Sequence, residues 1–232
     1  SVIESLKHAA FANHRKPELT WIDSTEYEKD PKKLRELSDF DGVLIPGGFG
    51  ARGVEGKIAA IEYCRKKKIP YFGICYGMQL AVIEYARHIA RLRGANTVEV
   101  DAKTTHPVID ILPEQKKLIA QGNYGGTMRL GEYRAVLKKG TLAEAAYGTR
   151  KIVERHRHRY EVNPEYVDRL KEAGMVFSGT SPDGVLMEIA ELSKREHPFF
   201  VGVQFHPEFQ SSILSPHPVF NAFIKAAIRP RR

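Results

Sequence analysis

The stretch that most constrains the fold of this chain is Phe72-Gly73-Ile74-Cys75-Tyr76-Gly77-Met78. It joins a short apolar segment, Ile69–Ile74, to a helical pattern that runs from about Gly77 to Leu92. The glycines two residues before and two residues after Cys75 let the backbone turn sharply without a Cβ clash. A turn of this kind presents one side chain at the end of a strand, which is the geometry of a nucleophile elbow. The pattern therefore predicts a strand, a tight turn at Cys75 and a long helix.

A cysteine at such a turn also indicates a class of reaction. The N-terminus of the following helix carries a partial positive charge, which favours the thiolate form of Cys75 over the thiol. A thiolate nucleophile in this place predicts acyl transfer through a thioester. The second cysteine, Cys64, lies in a charged helical segment and is interpreted as structural. Two cysteines do not make a disulfide framework, so a reducing, cytoplasmic compartment is expected.

Helical and strand patterns alternate along the first two thirds of the chain. Short apolar strands without polar alternation fit a sheet that is covered on both faces. The alternation predicts the α/β class, with a doubly wound, mostly parallel central sheet and helices on both faces. The predicted helices are Val2–Ala12, Pro31–Leu37 and Lys57–Lys68, and the predicted strands are Leu19–Ile22, Gly42–Ile45 and Ile69–Ile74.

The rest of the chain is interpreted as a long loop, several strands and a final helix. Asp101–Gly126 contains prolines and glycines and has no clear period, which predicts a loop with short pieces of structure. A length of 232 residues fits one large domain, residues 1–232. The strands predicted here are Thr97–Val100, Lys151–Tyr160, Met175–Gly179, Val185–Leu192 and Phe199–Phe205, and the helix is Pro216–Ile228.

The formal net charge of +8 raises the alternative of a nucleic-acid-binding protein. The basic residues are scattered, however, and the run Arg65-Lys66-Lys67-Lys68 closes a helix, where cations complement the helix dipole. Charge runs are usually solvated surface, so no nucleic-acid partner is expected. No run approaches the roughly 20 apolar residues of a membrane span, and no secretory signal is recognised, so no membrane partner is expected.

A nucleophilic cysteine needs a base, and the base needs a group that orients it. His206-Pro207-Glu208 follows directly on the predicted strand Phe199–Phe205. Because ligands bind at the carboxyl ends of parallel strands, His206 is expected beside Cys75. Glu208 can hold the imidazole tautomer and stabilise the imidazolium, as the acid of a triad does. The alternatives are a structural histidine at His206, one of nine in the chain, and a surface salt bridge at Glu208.

The glycine-rich loop Pro46-Gly47-Gly48-Phe49-Gly50 follows another predicted strand. Its backbone N–H groups are candidate donors to an oxyanion, with Gly48 approaching closely and the N–H of Tyr76 as the second donor. Residues 48–53 also match the dinucleotide pattern G-x-G-x-x-G, but the next strand ends in Cys75 rather than in an acidic residue. Residues 51–58 match a P-loop only in part, so neither an ATP site nor a metal site is predicted in this chain.

Taken together, the cysteine elbow, the glycine loop and His206-Pro207-Glu208 resemble the class I glutamine amidotransferases, which have a flavodoxin-like fold. Three further stretches resemble the glutaminase domain of the CTP synthase family, and with them the resemblance spans nearly the whole chain. They are Gly48-Phe49-Gly50-Ala51-Arg52-Gly53-Val54-Glu55-Gly56-Lys57, Gly125-Gly126-Thr127-Met128-Arg129-Leu130-Gly131 and Glu154-Arg155-His156-Arg157-His158-Arg159-Tyr160-Glu161-Val162-Asn163.

The resemblance implies a reaction and partners. It implies hydrolysis of L-glutamine to glutamate and ammonia, with Cys75 as nucleophile, His206 as base and Glu208 as its orienter. The ammonia would pass to an N-terminal synthase domain that uses ATP and Mg²⁺ to aminate UTP to CTP. No cofactor is expected in this domain itself, GTP is expected as an allosteric activator, and the full-length enzyme is expected to be a homotetramer.

The resemblance also implies the residues that hold glutamine. Gln79 lies four residues after Cys75 on one helix face, Glu99 could receive the substrate ammonium, and Arg159 could clamp its carboxylate. For Glu99 and Arg159 the alternative is ordinary surface pairing. Residues 127–130 are expected to belong to a lid linked to GTP, with a plain hairpin turn as the alternative. The full glutamine-binding set is Gly48, Phe49, Tyr76, Gly77, Met78, Gln79, Glu99 and Arg159.

The chain departs from the family pattern in two ways. Position 76 is tyrosine where the family commonly has leucine, and tolerance is expected because the backbone N–H is the working part. The family's domain opens with a strand before the helix at Val2, and that strand and the synthase domain are expected to be absent from this chain. The alternative functions are another triad-type amidotransferase or cysteine hydrolase, and a non-catalytic regulatory module of the same fold.

Overall fold

A seven-stranded sheet separates two layers of helices in the computed structural model, which describes residues 1–111 and 128–228. The strands are β1 Val43–Ile45, β2 Tyr71–Ile74, β3 Asn96–Thr97, β4 Pro107–Asp110, β5 Arg129–Leu137, β6 Lys151–His158, β7 Glu161–Val162, β8 Val176–Thr180, β9 Met187–Glu191 and β10 Phe200–Val203. The α-helices are α1 Val2–Ala12, α2 Thr25–Lys29, α3 Val54–Lys67, α4 Tyr76–His88, α5 Leu142–Tyr147, α6 Pro164–Glu172 and α7 Pro218–Ala227, and 3-10 helices span Pro31–Asp39 and Pro207–Phe209.

The large sheet has the order β1-β2-β10-β9-β8-β5-β6, and a small second sheet has the order β3-β4-β7. The predicted α/β class with helices on both faces is confirmed. The description of the sheet as mostly parallel needs correction, because only β1, β2 and β10 run parallel and the other four strands pair antiparallel. The connections 181–186 and 192–199 are too short to carry a crossover helix, so β8, β9 and β10 follow one another as antiparallel neighbours.

Most of the predicted elements are confirmed with shifts of a few residues at their ends. Three differ more. Residues 31–39 form a 3-10 helix rather than an α-helix, β3 covers Asn96–Thr97 rather than Thr97–Val100, and Leu19–Ile22 is not a strand. The predicted loop at 101–126 contains β4 in its described part, and the remainder lies outside the described residues.

The segment Leu19–Ile22 has the apolar composition of a strand but no strand partner. Among residues 1–111 and 128–228, β1 is paired on one side only, with β2. Trp21 is 74% exposed and Leu19 is 40% exposed. An extended segment without a neighbouring strand cannot form ladder hydrogen bonds, which explains the wrong prediction. The expectation of a strand before Val2 concerns residues outside this chain and stays a prediction.

Two hydrophobic cores hold the sheet between its helices. On one face, α3 and α4 contribute Ile61, Leu80 and Ile83, which are fully buried. On the other face, α1 and α7 pack against Phe72 of β2, whose ring meets Phe220 edge to face at 5.1 Å between centroids. Because helices pack on both faces of β2, the position of the turn that follows β2 is fixed by the core. No helix in the described part of the chain is long and apolar enough to cross a membrane.

Candidate active site

The turn at Cys75 has the strained geometry that the sequence predicts. Cys75 follows β2 directly and precedes α4, with φ 51° and ψ −100°. A non-glycine residue at positive φ is uncommon and marks a place that the surrounding structure holds in position. Glycine is required on both sides of the turn, because a Cβ on Gly73 would lie 2.7 Å from the Gly77 carbonyl carbon and a Cβ on Gly77 would overlap the Ile45 carbonyl oxygen.

The base and its orienter lie at the end of the neighbouring strand. β10 pairs parallel with β2, and the Cys75 N–H donates to the Val203 carbonyl at 2.6 Å. His206 follows three residues later and is buried, and its Nδ1 lies 2.8 Å from Glu208 Oε1. The other ring nitrogen, Nε2, has no hydrogen-bond partner among the described residues. Nε2 is therefore the nitrogen that remains to take a proton from a nucleophile.

Gly47 shows how closely the nucleophile and the base approach each other. A Cβ at Gly47 would lie 2.8 Å from His206 Cε1 and 3.7 Å from Cys75 Cβ. The side chains of Cys75 and His206 therefore both lie next to Gly47, in the glycine loop that follows β1. The sequence argument expected Gly48 to approach a ligand closely, which stays a prediction; a Cβ at Gly48 would have Tyr76 Cδ1 as its nearest neighbour, at 3.6 Å.

The electrostatics of Cys75 differ from the sequence expectation. Burial raises the pKa of the Cys75 thiol to about 12, and the carboxylates of Glu208, Glu161 and Glu99 add to the rise. The Tyr76 N–H at the start of α4 opposes this shift by donating to the sulfur, as the helix terminus was expected to do. Desolvation outweighs that single donor. The helix N-terminus therefore acts in the expected direction, but burial is the larger effect, so deprotonation of the thiol needs a general base.

Several residues of the predicted glutamine-binding set surround this point. Glu99 accepts a hydrogen bond from the Gly50 N–H at 2.9 Å, which connects Glu99 to the glycine loop. Glu99 lies two residues after the end of β3, whereas the sequence predicted that it would end a strand. The Tyr76 hydroxyl donates to the Gly50 carbonyl at 2.6 Å. The Tyr76 side chain, which is larger than the leucine common in the family, thus holds the glycine loop next to the elbow. These contacts place Gly48, Tyr76 and Glu99 at one edge of the sheet.

Other members of the set point elsewhere. The Met78 side chain is fully buried beneath β10, against Gly202, and Gly77 packs on β1. Phe49, which belongs to the glycine loop, is 87% exposed. Arg159 lies just after β6, beyond the exposed residues Arg155 and Arg157 of that strand. Substrate binding by these residues stays a prediction.

Gln79 lies beneath the elbow with its amide in use. Its Nε2 donates to the Tyr160 carbonyl at 3.0 Å and to Gln204 Oε1 at 3.3 Å. Sequence reasoning identified Gln79 but missed Gln204. The signal was present, because Gln204 precedes His206 by two residues and alternate residues of an extended segment face the same side.

A buried network of charged residues lies behind the site, and sequence reasoning also missed it. Arg129 donates to Glu161 at 3.1 Å and to Glu188 at 2.9 Å. His156 Nδ1 lies 2.9 Å from His158 Nε2, and His156 Nε2 lies 3.5 Å from Glu188 Oε2. Burial raises the pKa of Glu161 to about 8 and lowers that of His156 to about 3 and that of His158 well below its ordinary value. Of the predicted lid segment 127–130, residue 127 lies outside the described residues, and Arg129 belongs to this network.

This network predicts that stability passes through a maximum near pH 6.5. The raised pKa of Glu161 lets the folded state keep a proton that the unfolded state loses above its ordinary pKa of 4.5, so stability declines as the pH rises towards 8. The lowered pKa values of His156 and His158 act in the opposite sense. Below their ordinary pKa of 6.5 the unfolded state binds protons that the folded state does not, so stability declines as the pH falls.

Urea unfolding at several pH values tests this prediction. Between pH 6.5 and 8 the wild-type free energy of unfolding should fall by about 1 to 2 kcal/mol, since one pKa unit corresponds to about 1.4 kcal/mol. Glu161→Gln keeps an acceptor for Arg129 but cannot ionise, so it should lose less than half as much. Glu132→Gln, an exposed change on β5, is the matched control and should follow the wild type. An alkaline slope that is the same in all three proteins would contradict the role of Glu161.

One group of potential metal ligands lies away from the elbow, on α3 and α4. Glu62, Glu84 and His88 bring ligand atoms within 4.8 Å of one another. Arg65 donates to both carboxylate oxygens of the buried Glu84, at distances of 2.6 to 3.1 Å. The ion pair with Arg65 accounts for the burial of Glu84 without a metal ion.

The elbow, the paired His206 and Glu208 and the glycine loop are the features that the sequence predicted for an amidotransferase site. The chain belongs to the class I glutamine amidotransferase family, because the sequence model of that family, "Glutamine amidotransferase class-I", matches residues 1–226.

Individual relatives indicate the group within this family, and they confirm the resemblance to CTP synthases that the motifs indicated. The CTP synthase of Methanococcoides burtonii is 52% identical over 229 residues, which cover 99% of this chain and 42% of that protein. The CTP synthase of Rubrobacter xylanophilus is 56% identical over 229 residues, which cover 98% of this chain and 40% of that protein. The chain thus spans about two fifths of the length of these relatives.

A solved structure matches over the same extent. The glutaminase domain of Trypanosoma brucei CTPS, solved with bound acivicin, superimposes with a TM-score of 0.90 at 35% identity. The match covers 97% of this chain and 86% of that domain. A glutamine amidotransferase from Methylobacillus flagellatus, with a TM-score of 0.53 at 13% identity, shares the fold alone.

Proposed function

We propose that this chain is the glutaminase part of a CTP synthase and hydrolyses L-glutamine to glutamate and ammonia. The observation that carries the proposal is the meeting of Cys75 and His206 at Gly47, with Glu208 bound to the far side of the imidazole. The identity of 52% to 56% with proteins named CTP synthase supports the choice of enzyme within the amidotransferase family.

The proposed reaction begins with proton transfer from the Cys75 thiol to His206 Nε2. The sulfur then attacks the carboxamide carbon of glutamine, and the N–H groups of Tyr76 and of the glycine loop stabilise the oxyanion that forms. His206 returns the proton to the leaving nitrogen, which departs as ammonia and leaves a thioester on Cys75. Water, deprotonated by His206, attacks the thioester, and glutamate leaves as the thiol regains its proton. Glu208 stabilises the imidazolium at both stages.

The wider roles concern a longer protein. We propose that the ammonia passes to an N-terminal synthase domain that aminates UTP with ATP and Mg²⁺, that GTP activates the glutaminase, and that the whole enzyme is a cytoplasmic homotetramer. The names of the relatives support the first of these roles. Cys64 and Cys75 are not joined in a disulfide, which is consistent with a reducing compartment.

Covalent labelling tests the proposed glutaminase directly. A diazoketone analogue of glutamine should modify Cys75 and leave Cys64 unmodified, because the analogue must occupy the glutamine site to react. Mass spectrometry of the two cysteine peptides identifies the modified residue, and excess L-glutamine should protect Cys75. Ammonia release is then measured with and without an added synthase domain and GTP. Failure of a folded sample to be labelled would overturn the assignment.

Glu208→Gln should reduce glutamine hydrolysis by about two to four orders of magnitude, with a smaller effect on labelling. The amide can donate to His206 Nδ1, which would leave the proton on Nε2, the nitrogen that has to accept one. Glu132→Gln makes the same chemical change on an exposed strand residue and should keep wild-type activity. Equal activity in both variants would show that Glu208 does not orient the base.

A further inference from the structure

Gln204 is a buried polar residue for which the mechanism above has no task. It lies between β10 and His206, and its side chain is 0% exposed. Its Nε2 lies 3.7 Å from Cys75 Sγ, and its Oε1 accepts from Gln79 Nε2 at 3.3 Å. Sulfur is a larger and weaker acceptor than oxygen, so 3.7 Å is a hydrogen-bonding separation for this pair.

The contacts of Gln79 determine which end of the Gln204 amide faces the sulfur. Gln79 Nε2 also donates to the Tyr160 carbonyl at 3.0 Å, and a carbonyl can only accept, so the Gln79 group at this point is its NH₂. If the Gln204 amide were turned over, its NH₂ would face the NH₂ of Gln79 and two donors would oppose each other. The network therefore aims the N–H of Gln204 at Cys75 and its oxygen at Gln79.

The backbone keeps Gln204 in this place. Its N–H donates to the Glu188 carbonyl at 2.8 Å, and the preceding residue, Val203, accepts the hydrogen bond from the Cys75 N–H. The strand that positions the elbow backbone thus also positions the amide beneath the sulfur. Donor and acceptor belong to one rigid unit and need no rearrangement when the charge on sulfur changes.

We propose that Gln204 is a further catalytic residue of the glutaminase, whose side-chain N–H binds the Cys75 sulfur and stabilises the thiolate. A hydrogen bond to a charged acceptor is roughly twice as strong as one between neutral groups. The contact is therefore stronger once His206 has taken the proton than in the resting thiol, which lowers the barrier to attack. The catalytic consequence rests on the proposed function, whereas the hydrogen bond itself does not.

The groups that surround the Cys75 sulfur make the Gln204 N–H important for stabilising the thiolate. The charged or titratable groups that face Cys75 are Glu208 and His206 after β10, Glu161 on β7 and Glu99 beyond β3. Each of the three acidic groups disfavours a negative sulfur when it is ionised, and Glu161 becomes ionised as the pH rises through its raised pKa of about 8. In the described part of the chain, the donors that contact Sγ are the Tyr76 N–H and the Gln204 amide. Loss of the amide would leave the Tyr76 N–H as the remaining donor to the sulfur, opposed by these acidic groups.

Alkylation by iodoacetamide tests the proposal, because the thiolate displaces iodide without any need for glutamine. Gln204→Met keeps the length of the side chain and removes its donor. At each pH from 7 to 9 its Cys75 should be alkylated about ten times more slowly than in the wild type, which corresponds to a pKa higher by about one unit. Gln204→Glu should slow the reaction further, because an acidic group then replaces the donor next to the sulfur.

Controls separate this effect from general damage. Gln210→Met removes an exposed amide from the same loop and should leave the alkylation rate unchanged. Far-UV circular dichroism and the alkylation of Cys64 in urea report folding. If Gln204→Met does not fold, Gln79→Leu tests the same point from the other end, since it frees the amide to turn and should slow alkylation several-fold.

The outcomes distinguish this proposal from the glutaminase assignment. Slower alkylation in folded Gln204→Met supports the hydrogen bond, whether or not the wild type releases ammonia. Alkylation at the wild-type rate in both folded Gln204 variants overturns the proposal, even if the wild type hydrolyses glutamine. Slowing by the same factor in Gln210→Met would also overturn it, because the effect would then not depend on contact with the sulfur.

Discussion

Cys75→Ala should abolish both ammonia release from L-glutamine and labelling by the diazoketone analogue. Loss of a nucleophile that acts together with its base removes about six orders of magnitude from turnover, well below the detection limit of an ammonia assay. Water in the cleft cannot replace the sulfur, because no covalent intermediate can form. The fold should be unaffected, since alanine is smaller than cysteine and the turn is held by the glycines on either side.

Cys64→Ala is the matched control for this result. Cys64 is also buried and outside any disulfide, but it lies on α3 and packs in the hydrophobic core on that face of the sheet. Its replacement should leave labelling and ammonia release near wild-type values, with a modest fall in melting temperature. Labelling that persists in Cys75→Ala, or disappears in Cys64→Ala, would mean that the reactive site has been assigned to the wrong cysteine.

Gly77→Ala should destabilise the chain by about 3 kcal/mol or more, although alanine usually stabilises a helix relative to glycine by about 1 kcal/mol. Gly77 is the second residue of α4, and its Cα faces the backbone of β1. A Cβ there would overlap the Ile45 carbonyl oxygen and lie 3.1 Å from the carbonyl carbon. Backbone atoms of a strand that is hydrogen-bonded to β2 cannot move aside as a flexible side chain can, so the elbow itself must shift.

Urea unfolding measures this loss, and Gly48→Ala provides the comparison. A Cβ at Gly48 has Tyr76 Cδ1 as its nearest neighbour at 3.6 Å, an ordinary contact distance. That variant should unfold within about 1 kcal/mol of the wild type. If Gly77→Ala proves as stable as Gly48→Ala, the close packing of the elbow on β1 is wrong. In the expected case Gly77→Ala also loses the positive φ at Cys75, so the rate of labelling should fall together with stability.

Much of the site could be predicted from local sequence. The elbow follows from two glycines around a cysteine at the end of an apolar segment, and His206-Pro207-Glu208 follows another such segment. Both features are short-range, because turn geometry and strand ends depend on neighbouring residues. The alternation of helices and strands in the first half likewise predicted β1, β2, α3 and α4, which lie where expected.

Errors arose where an element depends on a partner that is distant in the chain. Leu19–Ile22 has the composition of a strand, but strand formation needs a neighbour to receive its hydrogen bonds. The antiparallel half of the sheet was missed because short apolar strands have the same composition in either direction. Only the short connections between β8, β9 and β10 indicated that these strands run antiparallel.

What the sequence by itself determined is the class of chemistry: a cysteine on a tight turn, a histidine with its carboxylate, and a wound α/β sheet that brings strand ends to one edge. The tertiary structure alone decided the contacts on which that chemistry depends. Gly47 meets His206, Gln204 reaches the sulfur, and Arg129 joins Glu161 to Glu188, although these partners are separated by 32 to 159 positions in the chain. It also decided that the pKa of the Cys75 thiol is raised, because desolvation depends on everything that surrounds a group, and local sequence does not contain those surroundings.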